Sequence, residues 1–254
     1  MTDPLFDMSG QVALVTGGSR GLGRQIVLGF AAHGASVVVA SRKQAACEEV
    51  AAEARAKHDV DAWAIGVNVS DWDQCDELVE NAYWRAGRVD VLVNNAGLSP
   101  LYPSLTEISE ALYDKVFAVN LKGPFRLGTL IGARMAGAGS GAIINISSVE
   151  AVRPSPGALP YAAAKAGLDV LTLGLARAYG PAVRVNSIMA GPFLTDISKA
   201  WDLDAVTAAL QHSSALRRAG RPDEIVGAAL YLASPSASFT TGTVIRVDGG
   251  LYGP

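Results

Sequence analysis

Charge of one sign, histidine, cysteine and long apolar runs are all scarce in this chain, and each scarcity removes a class of protein. The 254 residues carry 24 acidic and 21 basic side chains, a net charge of −3. No basic run is long enough to hold a polyanionic backbone, so nucleic acid is not an expected partner. The three histidines, His33, His58 and His212, stand far apart without ligand spacing, and no metal site is expected. Cys47 and Cys75 are too few for a disulfide framework and fall in helix-like segments. Reduced structural thiols in a cytoplasmic protein are the expected reading. No uninterrupted apolar stretch reaches membrane length, so no membrane association is expected. The opening MTDPLFDMSG lacks a basic region followed by an apolar one, and no signal peptide is expected. Disorder is excluded by composition, since 50% of residues are hydrophobic and 18% charged.

What is present is an alternation. Apolar, strand-like runs recur near 12–16, 36–40, 62–67, 89–93, 142–147, 183–188 and 243–247. Helix-like segments separate most of them, most clearly at 43–57, 71–86, 109–135, 160–179 and 222–233. Continuous apolar strands alternating with amphipathic helices predict an α/β fold with a parallel sheet covered on both faces. Right-handed crossovers make it a doubly wound, Rossmann-type arrangement of about seven strands. No linker divides the chain, so 1–254 is read as a single domain. The least regular region, near 190–213, follows a strand end. Ligands of such folds sit outside the carboxyl ends of strands, so this region is the expected substrate lid.

Two motifs carry chemistry. The run QVALVTGGSRGLG at 11–23 passes from a strand through Gly17, Gly21 and Gly23 into a helix-like stretch. Glycines allow close backbone approach there, and the helix N-terminus offers free N–H groups to a phosphate. Further on, Tyr161 and Lys165 stand four apart in PYAAAKAG, which puts both on one helical face. An ammonium beside a phenol is expected to lower the phenol pKa and make Tyr161 a usable proton donor and acceptor near neutral pH. Ser148 ends the apolar run IINISS, placed to converge with Tyr161 on one substrate oxygen.

Four segments in order, TGGSRGLG at 16–23, NNAG at 94–97, Asn120 in VFAVNLKG, and Ser148 with YAAAK at 161–165, resemble the short-chain dehydrogenase/reductase family. The resemblance runs from about Gly10 to Gly250 and is nearest to 3-oxoacyl-carrier-protein reductases. It implies a nicotinamide cofactor and hydride transfer between a carbonyl and a secondary alcohol. It also implies roles. Ser148 positions the substrate oxygen, Tyr161 passes the proton, Lys165 holds the nicotinamide ribose, and Asn120 supports a water chain to Lys165. Gly17, Ser19, Arg20, Gly21, Leu22 and Gly23 would line the phosphates; Asn68 and Val69 the adenine; Asn95, Ala96 and Gly97 the middle of the cofactor. Asn68 stands where relatives usually have Asp, and its carbonyl oxygen can still accept from the adenine amino group. Gly191, Phe193 and Thr195 would meet the carboxamide end, although the usual Pro-Gly pair reads Ala190-Gly191 here, with Pro192 one place on. A homotetramer is implied as well.

At the end of the second strand an acidic residue would accept from a ribose hydroxyl and repel a 2′-phosphate. This chain has Ser41 and Arg42 instead, with Arg20 on the same side. A hydroxyl and a forked guanidinium suit a phosphate, so NADP(H) is expected over NAD(H).

For substrate the sequence offers Ser148, Glu150, Tyr161, Phe193 and Trp201. Glu150 either binds a substrate hydroxyl or amine or faces water, and the sequence leaves both open. The acyl-carrier reading wants basic residues at the site mouth. Segments 135–143 and 178–183 have none, though Arg134, Arg153 and Arg177 lie near. A small-molecule carbonyl or alcohol is the expected partner. An NAD-dependent polyol or sugar-alcohol dehydrogenase stands as an alternative, and a non-catalytic dinucleotide-binding sensor or scaffold as one of another class.

Overall fold

The structure, a computed structural model, describes residues 5–195 and 203–251. Strands form where β-branched and small apolar residues run unbroken. β1 (Val12–Thr16), β2 (Ser36–Ser41), β3 (Ala62–Gly66), β4 (Val91–Asn94), β5 (Gly141–Ser148), β6 (Val183–Ala190) and β7 (Val244–Val247) form one sheet in the order β3-β2-β1-β4-β5-β6-β7. Every pairing is parallel, as in Ala13 against both Val37 and Val91. The doubly wound sheet expected from the alternation is therefore present.

Parallel pairing needs crossovers, and the helices supply them: α1 (Gly21–Ala32), α2 (Gln44–His58), α3 (Trp72–Ala86), α4 (Glu110–Phe117), α5 (Gly123–Ala138), α6 (Leu159–Tyr179), α7 (Leu203–Ser213) and α8 (Val226–Ala233). Side-chain alternation splits the core in two. Ala13, Val15, Val37, Val39, Val91 and Val93 face Phe30, Ala51 and Ala229 on one side. Leu14, Val38 and Leu92 face Leu78, Leu127 and Ile131 on the other. Each such large side chain contributes about 2–3 kcal/mol by leaving water. Order reverses between β1 and β4, which lie side by side, so the carboxyl ends of β1, β4 and β5 open onto one crevice. No helix among the described residues is long and apolar enough to cross a membrane.

Two expectations are corrected. The single helix read over 109–135 is two, α4 and α5, joined by a π-helical turn at Ala118–Lys122. Asn120 lies in this turn and is buried, between Val116 of α4 and Pro124 of α5 on the same buried stripe. Within the irregular region, Leu203–Ser213 forms a regular helix, and 196–202, with Trp201, lies outside the described residues.

Candidate active site

The glycine loop is shaped by contacts from β1 and the segment after β4. Thr16 Oγ1 donates to Val93 O and accepts from the backbone N–H groups of Asn95 (3.0 Å) and Ala96 (3.1 Å). Asn95 Nδ2 donates to Thr16 O at 2.9 Å and Gly17 O at 3.2 Å. Gly17 sits at φ +64, and a Cβ there would lie 2.8 Å from Asn95 Nδ2. A side chain would therefore push the two segments apart. The Asn95 Nδ2 group thus braces the loop. Behind the loop, the first turn of α1 carries no acidic residue to neutralise its N-terminus. A backbone cradle that a Cβ would fill, at a positive helix end, fits a dinucleotide pyrophosphate.

At the second strand, Ser41 Oγ donates to Ser19 Oγ at 2.8 Å and lies 3.1 Å from Cys47 Sγ. This ties the strand end to the glycine loop. Arg20 and Arg42 are both exposed on that side. Asn68 differs from its expected role. Its Oδ1 accepts from Ser70 Oγ at 2.9 Å and from Ser70 N at 3.3 Å, which engages the lone pairs expected to face the adenine amino group.

The π turn places Asn120 at 0% exposure in the floor of the crevice. Its Nδ2 donates to Leu98 O and Val116 O, both at 2.8 Å, and Oδ1 accepts from Leu98 N at 3.2 Å. Asn120 thereby pins the segment following β4. A Cβ added at Gly97 would stand 3.3 Å from Asn120 Oδ1 and 3.8 Å from Lys165 Nζ. Gly97, Asn120 and Lys165 therefore meet at one point.

Lys165 is 2% exposed and donates to Ile146 O at 2.7 Å. Burial pushes its pKa down to about 8, and the carboxylate of Asp169, one turn further on, opposes the fall. Asp169 itself is held above the usual carboxylate range by burial, eased by Ser187 Oγ donating at 2.8 Å.

Tyr161, in the first turn of α6, does not behave as the sequence suggested. Burial raises its pKa above 10, the Ser148 hydroxyl pulls it back in part, and the Glu150 carboxylate raises it further. The Lys165 ammonium lies 5.7 Å from the ring centroid and points at Ile146 O, too distant and too desolvated to reverse this. The phenol therefore keeps its proton at neutral pH. Ser148, at the end of β5, accepts from Glu150 N at 3.2 Å and keeps its own proton to donate. Glu150 is committed to neither open role: its carboxylate accepts from Ser155 N at 2.7 Å and Ser155 Oγ at 3.0 Å, folding the loop between Ser148 and Tyr161.

Beyond β6, Phe193 is corrected too. Its ring is 6% exposed within the core, and a Cβ on Gly220 would collide with it at 2.6 Å. It anchors the loop and presents no ring to a substrate. Gly191 is needed where a Cβ would meet Asp248 Cα at 2.6 Å, and Thr195 faces the glycine loop, 3.4 Å from a Cβ placed on Gly21. Sequence reasoning missed Thr16, Ser155 and the bonds that Tyr102 makes. Thr16 alone had a signal, as the last strand residue before Gly17.

A glycine-rich backbone cradle at a strand-order reversal, with Ser148, Tyr161, Lys165 and Asn120 at its far end, is an arrangement suited to a nucleotide-dependent α/β oxidoreductase. A family model described as enoyl-(acyl carrier protein) reductase matches residues 17–252. A 3-oxoacyl-[acyl-carrier-protein] reductase of Thermotoga maritima is 36% identical over 246 residues, 96% of this chain and 98% of that protein. The crystal structure of a gluconate 5-dehydrogenase from Burkholderia cenocepacia, in complex with NADP and tartrate, superposes with a TM-score of 0.93 at 31% identity, covering 98% of this chain and 97% of that one. An NADPH-dependent 3-quinuclidinone reductase from Rhodotorula rubra gives 0.92 at 29% identity, covering 98% and 93%. The chain belongs to the short-chain dehydrogenase/reductase family and is an oxidoreductase.

Proposed function

We propose that this protein is an NADP(H)-dependent reductase of a small, largely apolar ketone, working through Ser148, Tyr161, Lys165 and Asn120. The carrying observation is the meeting of Gly97, Asn120 and Lys165 at the end of the glycine-loop crevice, with Tyr161 and Ser148 beside them. When bound, the nicotinamide supplies or accepts the hydride. The chain does the rest. Gly17, Gly21, Gly23, Ser19 and Leu22 admit the pyrophosphate backbone-close. Ser41, Arg42 and Arg20 receive the 2′-phosphate, and NADP in the Burkholderia relative supports that preference. Val69, Ala96, Gly191 and Thr195 line the remaining length.

Ser148 donates to the substrate carbonyl oxygen and fixes it. Tyr161, protonated because its pKa is raised, donates its phenolic proton to the same oxygen as it becomes an alkoxide. Lys165 spends one proton on Ile146 O and keeps two for the ribose hydroxyls. Asn120 holds the floor on which proton resupply to Lys165 depends. The Glu150 carboxylate, bonded to Ser155 yet near enough to raise the Tyr161 pKa, disfavours a carboxylate substrate, which favours a neutral ketone over a sugar acid.

The chain acts as one catalytic unit. The apolar face shared by α5 and α6, where Phe125 and Val170 are exposed, is the surface for assembly into a homotetramer. The test is a panel of ketones, 3-oxoacyl thioesters, sugar acids and alcohols run with NADPH and NADH. Turnover of neutral ketones with NADPH is the expected result. Absence of turnover with any carbonyl or alcohol would defeat the reading, and light scattering showing a monomer would remove the assembly.

A further inference from the structure

The helix that carries Tyr161 begins without a cap of its own. Ala158, at the N-cap of α6, has no acceptor side chain, and Pro160 has no N–H to offer. The free donor of the first turn, Leu159 N–H, is satisfied from elsewhere. It donates to Tyr102 Oη at 2.9 Å, 57 residues away in sequence. The same hydroxyl donates its proton to Pro156 O at 2.5 Å. A single phenol thus accepts from the first residue of the helix and donates to the loop before it. Tyr102 lies on the segment that leaves Gly97 and Leu98, which Asn120 pins from below. It lines a small apolar hollow together with Pro100, Val116, Pro160 and Tyr161.

The loop from Ser148 to Tyr161 is otherwise held by the Glu150–Ser155 bonds and by short backbone turns, Arg153 N to Val149 O and Ala158 N to Ser155 O, both at 3.0 Å. Those of Glu150 and Val149 fix its first half. Its second half, Pro156 to Leu159, is held by the Ser155 turn and by Tyr102, whose hydroxyl reaches it from across the crevice mouth. Tyr161 follows Leu159 by two residues, so a shift of the first turn moves the phenolic oxygen directly.

We propose that Tyr102 is a positioning residue for Tyr161, capping α6 from the opposite wall of the crevice and tying the substrate-side loop to the proton donor. Its hydroxyl does not touch the reacting oxygen; it acts through the first turn of α6. The proposal rests on the ketone-reductase reading only for its kinetic arm. Misplacement of a reacting group by about 1 Å can cost about 100-fold, and partial loss of one anchor should cost about tenfold in kcat.

The test is Tyr102→Phe, which keeps the ring in the hollow and removes both bonds. Hydrogen exchange is read first, because it needs no substrate. Amides of the first turn of α6, Leu159 and Tyr161 to Ala163, should exchange about tenfold faster, with β4, β5 and α5 unchanged. Kinetics follow with the best ketone found for the wild type. A tenfold fall in kcat is expected, with KM for the ketone and Kd for NADPH within about twofold and an unchanged melting temperature within a few degrees. Unchanged exchange in α6 overturns the proposal, as does a change confined to KM, which would make Tyr102 a substrate contact. A parallel loss of NADPH affinity and thermal stability also overturns it, showing a structural role. A wild type that reduces no ketone defeats the functional reading, while the exchange result still decides the role of Tyr102.

Discussion

Replacing Ser41 by Asp and Arg42 by Ala should reverse the cofactor preference, and the structure allows the size of the effect to be worked out. Ser41 Oγ lies within hydrogen-bond distance of Ser19 Oγ, at 2.8 Å, so an Asp carboxylate there can accept from Ser19 and from a ribose hydroxyl. The position is half-exposed, which keeps the new charge solvated and the fold intact. For NADPH the same carboxylate faces a 2′-phosphate. At a separation of about 6 Å, an effective dielectric of about 40 and a phosphate charge of about −1.7, the repulsion is about 2 kcal/mol. Loss of the exposed Arg42 guanidinium removes a charge-assisted bond worth about 1.5 kcal/mol. Together these move the NADPH/NADH ratio of kcat/KM by two to three orders of magnitude, since about 1.4 kcal/mol is tenfold.

The assay is kcat/KM for each cofactor at a fixed saturating ketone, at low and high salt. Salt screens the repulsion but leaves hydrogen-bond geometry in place, so the shift should shrink as salt rises. Ser41→Ala is the control, because it removes the donor without adding charge and should cost NADPH only a few-fold. A wild type that already prefers NADH refutes the reasoning at its root. A double variant whose ratio moves less than about fivefold refutes the placement of the 2′-phosphate.

Tyr161→Phe should abolish turnover and leave NADPH affinity within about twofold, by fluorescence titration, since only the transferable proton is lost. Lys165→Met should abolish turnover yet raise stability at pH 7. The fall from the ordinary 10.5 to about 8 corresponds to up to about 3 kcal/mol of burial cost. The lysine binds fewer protons folded than unfolded between those values, so wild-type stability rises with pH across that window, and urea melts at pH 7 and 10 should show the variant's advantage shrinking. A variant that is less stable at pH 7 would show that the Ile146 contact outweighs desolvation. Because the Tyr161 pKa is raised, the proton-donor form persists at all lower pH, so ketone reduction should be flat from about pH 5 to 7, below the Lys165 pKa of about 8. Alcohol oxidation needs the phenolate and should rise about tenfold per pH unit over the same range and through neutral pH. A plateau in oxidation starting near neutral pH would refute this.

The site divides cleanly into what sequence order can and cannot express. Gly17, Gly21, Gly23, Ser148, Tyr161 and Lys165 were legible because each sits where a strand ends or a helix begins, and those ends are marked by apolar runs and glycines within a few residues. The sheet was legible for the same reason: unbroken runs such as VALVT and SVVVAS have no solvent face. Side-chain directions were not. Phe193 turns into the core against Gly220 and Glu150 turns to Ser155, each decided by a partner that no spacing rule connects to it, while Asn68 turns to Ser70 in a local Asx turn that competes with the adenine role. The π turn escaped because α4 and α5 keep one apolar stripe on either side of it, so periodicity reads straight through. The Tyr161 pKa was misjudged by counting one charge, that of Lys165, when burial and Glu150 act the other way. The same reason hid the bonds that Tyr102 makes. Sequence spacing assigns a helix cap to the residues just before the helix, and here the cap comes from the opposite wall, so its part in setting the catalytic turn is invisible until the two walls are brought together.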